Sequence, residues 1–385
     1  MKPLPAILIA GLILGGGFPA PGAEEKAFTP ENPAAMQPLT RRDTPARHAA
    51  NLFLHGVNLG NYLEAPPGKS WGVTVTAAEF TAMQREGFDH VRVPVGWQHY
   101  AGPGPDFALT PDIFERVDFV VTQALANHLA VMINIHHFDA LDQAPAAATE
   151  EFLKIWAQVA AHYKRQPNTL AFELDNEPHD HATTAVMNPI YAQAIAEIRQ
   201  TNPGRTIFVE PGQWGAIGEL KKLLLPPDDN VIVSVHCYEP FYFTHQGASW
   251  IHETLPTGVR FPGPPAQPLV PDASLTLKPW VRDWIHQYNT LPAEKNPSSP
   301  ARLTAALKYA RAWSDYYGRP VHLGEFGAYT KADAASRVNF YTAFRRAAEQ
   351  ERIGWCLWDW SAGFRYWDQK EQRAVAGLHA ALFDR

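Results

Sequence analysis

From Leu52 onward, eight short apolar runs alternate with amphipathic stretches of about ten to sixteen residues, and no other feature limits the fold so strongly. The runs predict strands at 53–58, 88–93, 129–135, 169–175, 205–210, 230–236, 320–325 and 353–358. Helical patterns fall at 76–86, 112–127, 149–165, 186–201, 215–224, 301–317, 333–350 and 373–381. Strand and helix in alternation build a parallel sheet, because parallel neighbours need a crossover and a helix supplies it. Eight such units, with no glycine-rich dinucleotide turn, predict an α/β fold: a single (β/α)8 TIM barrel rather than an open doubly wound sheet. The connection from Glu239 to about Ser299 is too long for a simple loop. It predicts a long insertion after strand 6, with short elements of its own and with Trp250, Trp280 and Trp284, forming one wall of a cleft at that rim.

Chemistry collects where the runs end. The fourth closes as Phe172-Glu173-Leu174-Asp175-Asn176-Glu177-Pro178. Proline has no N–H for a sheet ladder, so Asn176 and Glu177 sit where the strand runs out, on the rim where barrels carry their sites. A second carboxylate, Glu325, ends the run Val321-His322-Leu323-Gly324-Glu325-Phe326. Two glutamates at two strand ends are the minimum equipment for double-displacement glycoside hydrolysis. A lone glutamate there is usually a solvated rim residue, so the weight lies in the concurrence. Strand alternation aims Glu173 and Asp175 into the barrel or its mouth, as hydrogen-bonded structural carboxylates, and turns Cys237 outward toward the helices.

The 385 residues, 46% hydrophobic and 19% charged, suit one large domain. A net charge of -6 argues against a nucleic-acid partner, which calls for a basic surface. The 12 Trp and 13 Tyr fill a core in part, and those on loops suit stacking against sugar rings. Residues 1–23 have the layout of a secretory signal peptide, one positive charge and then an apolar run ending in small residues. They imply a secreted or periplasmic bacterial protein with no membrane association after cleavage, an uncleaved anchor being the alternative. Residues 24–50, rich in Pro, Ala and charge, read as a flexible tether to a catalytic domain at 51–385. Cys237 and Cys356 fall in core strands, which predicts buried free thiols.

With these strand ends in view, the chain from about Leu52 onward resembles glycoside hydrolase family 5, the large cellulase and mannanase family of (β/α)8 barrels. Eight family positions match in order: Arg92 in VRVP, His136 in INIHH, Asn176 and Glu177, His236 and Tyr238 in VSVHCYEPF, Glu325 in HLGEFG, and Trp358 in WCLWDW. VHCYEPFYFTHQGASW and GVNLGNYLEAP further resemble bacterial endoglucanases of the family, some of which also cut mannan. The resemblance implies a retaining enzyme, with carboxyl groups about 5–5.5 Å apart. Glu325 would be the nucleophile, kept ionised by Arg92 and hydrogen-bonded by Tyr238. Glu177 would be the acid and then the base, with its pKa raised in the free enzyme. Asn176 would bind the sugar 2-hydroxyl, His136 and His236 would orient these groups, and Trp358 would form the floor, followed by a non-proline cis peptide. Asn58, Glu64, His137, Trp214 and Trp250 are candidate sugar contacts.

The implied activity is endo-β-1,4-glucanase, acting as a monomer on β-1,4-linked polysaccharide or oligosaccharide without a cofactor or metal. A β-mannanase, another β-glycanase (xylan, xyloglucan, mixed-linkage glucan) or an exo-acting glucosidase would use the same machinery. A non-catalytic sugar-binding barrel would have lost a glutamate or Asn176, and all three are present. A zinc hydrolase built on His136, His137, Asp139 and His236 is the rival chemistry. The missing His-x-His pair on strand one, and two glutamates that a metal mechanism would not need, count against it.

Overall fold

The computed structural model describes residues 28–31, 34–251 and 253–384, so the predicted signal segment lies outside the described residues. The eight expected strands are present: β1 (His55–Asn58), β2 (His90–Val93), β3 (Ala130–Asn134), β4 (Leu170–Glu173), β5 (Ile207–Val209), β6 (Val231–His236), β7 (Val321–Phe326) and β8 (Gly354–Leu357). They pair in parallel in chain order, and β8 closes on β1 to complete a (β/α)8 barrel. Long helices such as Pro111–Ala126, Pro145–Tyr163, Thr184–Thr201 and Pro300–Tyr317 pack outside.

The period-two alternation of each strand sorts its residues between two interiors. Val91, Val93, Val131, Ile133, Phe172, Val209, Val233 and Leu323 belong to the large apolar layer shared with the helices. The intervening positions face the barrel axis. At its base Phe53, Ala130, Met132, Ala171, Phe208 and Ile232 form a separate apolar plug together with Ala46. One step further along the strands the inward residues become polar: Asn58, Arg92, Asn134, Glu173, Ser234 and His236, all buried. The strands thus change from packing to chemistry within two residues.

Strand β7 breaks the alternation. Its register against β6 shifts between Val235 and His236, which brings Glu325 opposite His236. Gly324 makes the shift possible, since a Cβ there would lie 2.4 Å from Ser234 Oγ.

The tether expectation needs correcting. Of residues 24–50, the described part packs on the domain. Phe28 lies among Tyr309, Tyr316 and Tyr317, Met36 is buried, and the Leu39 N–H donates to Tyr317 O at 2.9 Å. The helix Pro45–Ala50, started by the Thr44 side chain, delivers Ala46 to the barrel base. A few apolar residues dock this strap into a surface groove, and such sparse anchors leave no periodicity to read.

The insertion after β6 has its own core of Tyr242, Ile251, Leu255, Leu277, Val281 and Ile285, built on the helices Phe241–Thr244 and Pro279–Thr290. Trp284 is part of that packing, stacked on Tyr288 with ring planes 12° apart. Both cysteines are free and buried, Cys237 in the outer layer and Cys356 facing Asn58 inside the barrel.

Candidate active site

Arg92, fully buried at the end of β2, is the electrostatic centre of the mouth. Its Nε donates to Glu173 Oε2 (2.6 Å), Nη1 to Glu325 Oε1 (2.7 Å) and Asn58 Oδ1 (2.9 Å), and Nη2 to Asn176 Oδ1 (2.7 Å). Nη2 also lies 3.3 Å from Glu210 Oε1. Burial works against the charge of the guanidinium, but Glu173, Glu325 and Glu210 outweigh it and hold it firmly charged.

Glu325 takes a second hydrogen bond on its other oxygen, from Tyr238 Oη at 2.6 Å. Glu177 stands across from it, with Oε1 2.8 Å from His236 Nδ1, and the same nitrogen is 3.8 Å from Glu325 Oε2. Oxygens of the two glutamates and the His236 nitrogen all lie within 4.8 Å of one another. Inverting enzymes keep their carboxyl groups about 6.5–9.5 Å apart to fit a water, and so close an approach of single oxygens fits the retaining arrangement.

Proton distribution departs from expectation. Burial raises Glu325 above the usual carboxylate range, against the pull of His236, Arg92 and the Tyr238 hydroxyl. Burial would also raise Glu177, yet the hydrogen bond and charge of His236 prevail and hold it below that range. The expected elevation of Glu177 is therefore absent in the unliganded site, because the hydrogen bond and charge of His236 outweigh burial. Burial opposes the charge on His236, but Glu210, Glu325 and Glu177 raise its pKa well above the imidazole norm.

The floor and walls are aromatic. Trp358 lies parallel to His136, with planes 3° apart and centroids 5.9 Å apart, and the Trp358–Asp359 peptide is cis. His137 meets His136 edge-on and borders Trp71. Trp214 stacks on His179 at 5.0 Å, and Trp250 packs among Tyr329, Phe364 and His245. His137, Trp214, Trp250 and Trp358 are half-buried, so part of each ring stays exposed. His137, Glu177, Gln213 and Trp214, all beside this cleft, adopt left-handed backbone, which is costly at non-glycine positions.

Two expected sugar contacts are not available as such. The Asn58 side chain is wholly enclosed. Its amide donates to Gly324 O and Leu357 O, and its oxygen accepts from Arg92, so it ties β1 to β7 and β8 beneath the site. Glu64 is also enclosed. It accepts from the Asn61 and Tyr62 N–H groups at 2.9 and 2.8 Å, so it shapes the first loop, and burial pushes its pKa up to about 8. Glu173 is the structural carboxylate expected, held by Arg92 and Asn134.

Glu210 was not anticipated. It follows β5, is fully buried, and accepts the Glu177 N–H at 2.9 Å while its other oxygen lies 3.0 Å from His236 Nε2. It ends the run RTIFVE as Glu325 ends HLGEF, and shares the inward parity of Phe208, so the strand-end signal was there to read.

Paired carboxylates beyond β4 and on β7 of a barrel, set between a guanidinium and a histidine, make the arrangement of a retaining glycosidase site. The family model for cellulase (glycosyl hydrolase family 5) matches residues 53–363, and the chain belongs to that family. Endoglucanase H of Acetivibrio thermocellus is 28% identical over 306 residues, covering 79% of this chain and 29% of that protein. Endoglucanase 3 of Fibrobacter succinogenes is 30% identical over 357 residues, covering 88% of this chain and 54% of that one. The chain therefore spans between about a third and a half of these relatives' length. Among solved structures, a hyperthermophilic endo-β-1,4-glucanase in complex with substrate superposes with a TM-score of 0.77 at 34% identity, covering 89% of this chain and all of that one. Thermotoga maritima Cel5A in complex with mannotriose gives 0.75 at 33%, covering 88% and 100%.

Proposed function

We propose that the chain is a retaining endo-β-1,4-glucanase acting on β-1,4-linked glucan chains, and the approach of Glu177 and Glu325 to within 4.8 Å carries this reading. Glu325 attacks the anomeric carbon as the leaving oxygen takes a proton from Glu177. Water then displaces the Glu325 ester with Glu177 as base. Arg92 and Tyr238 orient the nucleophile through one oxygen each. Asn176, fixed through its oxygen by Arg92, turns its amide toward the sugar 2-hydroxyl. Trp358 and Trp214 offer stacking faces on either side of the cut, with His137 and Trp250 further out. The family relationship and the names of the relatives support a glucan substrate.

Mannanase activity by the same site is the second reading, favoured by the match to an enzyme crystallised with mannotriose. No described helix is long and apolar enough to cross a membrane. Export through residues 1–23 to the periplasm or medium, and a monomeric state, complete the proposal.

The test is reducing-sugar release from carboxymethylcellulose, barley β-glucan, glucomannan, galactomannan and xylan, with Glu325→Ala as blank. Release from the glucans that disappears in the blank is the expected result, and the galactomannan lane reports on the second reading. Silence on every polymer would overturn the assignment.

A further inference from the structure

His236 has a carboxylate against each ring nitrogen. Nδ1 lies 2.8 Å from Glu177 Oε1, and Nε2 lies 3.0 Å from Glu210 Oε1 in an off-axis ion-pair contact. A neutral imidazole has only one N–H and would turn a lone pair toward one of these carboxylates. The imidazolium turns no lone pair toward either carboxylate, with a hydrogen bond at Nδ1 and an ion-pair contact at Nε2. The side chain is 1% exposed, so water does not screen the arrangement.

Carboxylates from three sides of the barrel surround the ring, and the turn at Gly215 that also packs on it brings no charge. Glu177 and Glu173 come from the end of β4, Glu210 from β5, and Glu325 from β7. On the cationic side stand Arg92 of β2, bound to three of these four carboxylates, and the neutral rings of His136 and His322. The carboxylates outnumber the guanidinium, which leaves room for one further cation.

We propose that Glu210 is a positioning residue for the acid step: it holds His236 as the imidazolium, so that the proton bound for the leaving group is kept on the Glu177–His236 hydrogen bond. The inference rests on the glycosidase reading and adds a residue to it. A carboxylate beside an imidazolium and a carboxylic acid beside an imidazole contain the same one proton, and a transfer of less than an ångström interconverts them. As substrate approaches, the proton crosses from Nδ1 to Glu177 and on to the glycosidic oxygen. The C1–O bond to the leaving group breaks, and the bond from C1 to Glu325 forms. The pair is left with a carboxylate beside a neutral imidazole whose remaining proton is on Nε2, the nitrogen beside Glu210. In the second half, water loses a proton to the pair as its oxygen bonds C1 and the Glu325 ester opens, and the imidazolium is restored. Glu210 also accepts the Glu177 N–H, which fixes the left-handed backbone that aims the acid.

The test compares wild type with Glu210→Gln on 2,4-dinitrophenyl and phenyl β-cellobioside. The first needs no protonation on departure and the second does. Glu210→Gln is expected to slow the phenyl substrate about 10²-fold more than the dinitrophenyl one. It is also expected to move the alkaline limb of kcat/KM down by about one unit or more. Glu210→Asp, which keeps the charge, should restore part of that limb. Equal losses on both substrates with an unmoved limb would make Glu210 merely structural and overturn the proposal. Should the variant not fold, ¹⁵N-histidine NMR of unaltered protein decides. Both nitrogens of His236 protonated at pH 7 upholds the proposal, and a neutral ring overturns it. Wild type inert on both cellobiosides would refute the glycosidase reading instead, and the NMR result would still judge the imidazolium.

Discussion

Arg92 shows why one side chain type fits the centre of this mouth. Its planar fork reaches Glu173, Asn58, Glu325 and Asn176 along separate directions, which a single ammonium cannot do. Arg92→Lys should lower stability by about 3–5 kcal/mol, the cost of stranding buried charge, and abolish turnover. Chemical denaturation and activity on β-glucan measure the two. Tyr238→Phe makes a finer prediction. The hydroxyl lowers the Glu325 pKa, and its loss leaves burial less opposed. Glu325 must be ionised to attack, so activity is lost as pH falls through its pKa, and the variant's acidic limb should lie at higher pH than that of wild type. A pH–kcat/KM profile checks it, and an unmoved limb would refute it. At this scale the sequence marked which residues carry charge at strand ends, but not at what depth. Asn58 and Glu64 have the polar character of sugar ligands, yet a step along the strand or a turn of a loop put them beneath the surface.

At the scale of elements, the strands were legible because their alternation is enforced on both faces, by helices outside and by the plug and polar ring within. The loops were not, since their course depends on contacts with distant segments. Trp214 owes its pose to two consecutive left-handed residues and a hydrogen bond from its N–H to Pro178 O at 3.2 Å, features with no local sequence signature. Trp250 is placed by Tyr329 and Phe364, about 80 and 114 residues downstream. Trp250→Ala should raise KM for long glucan chains more than for short aryl cellobiosides, because an outer platform meets only substrates that reach it. Equal effects on the two would mean that Trp250 serves packing alone.

For the molecule as a whole, length and alternation foretold the barrel, but not that the strap before it belongs to the folded unit. Burying the Phe28 ring among three tyrosines contributes about 2 kcal/mol. Phe28→Ala should therefore lower the Tm by a few degrees. KM for glucan should stay unchanged, since the strap approaches the barrel base and not its mouth. A thermal melt beside a saturation curve tests both halves of that statement.

The path of the strap also sets an orientation. The chain runs along the flank past the helix Pro300–Tyr317, then turns under the barrel as the helix Pro45–Ala50 before β1 rises toward the cleft. A bead, a surface or a second module joined upstream of Phe28 would therefore grip the enzyme from the side and below. Immobilised in this way, the barrel would face outward, and a polymer too large to diffuse around it would still find the groove unobstructed.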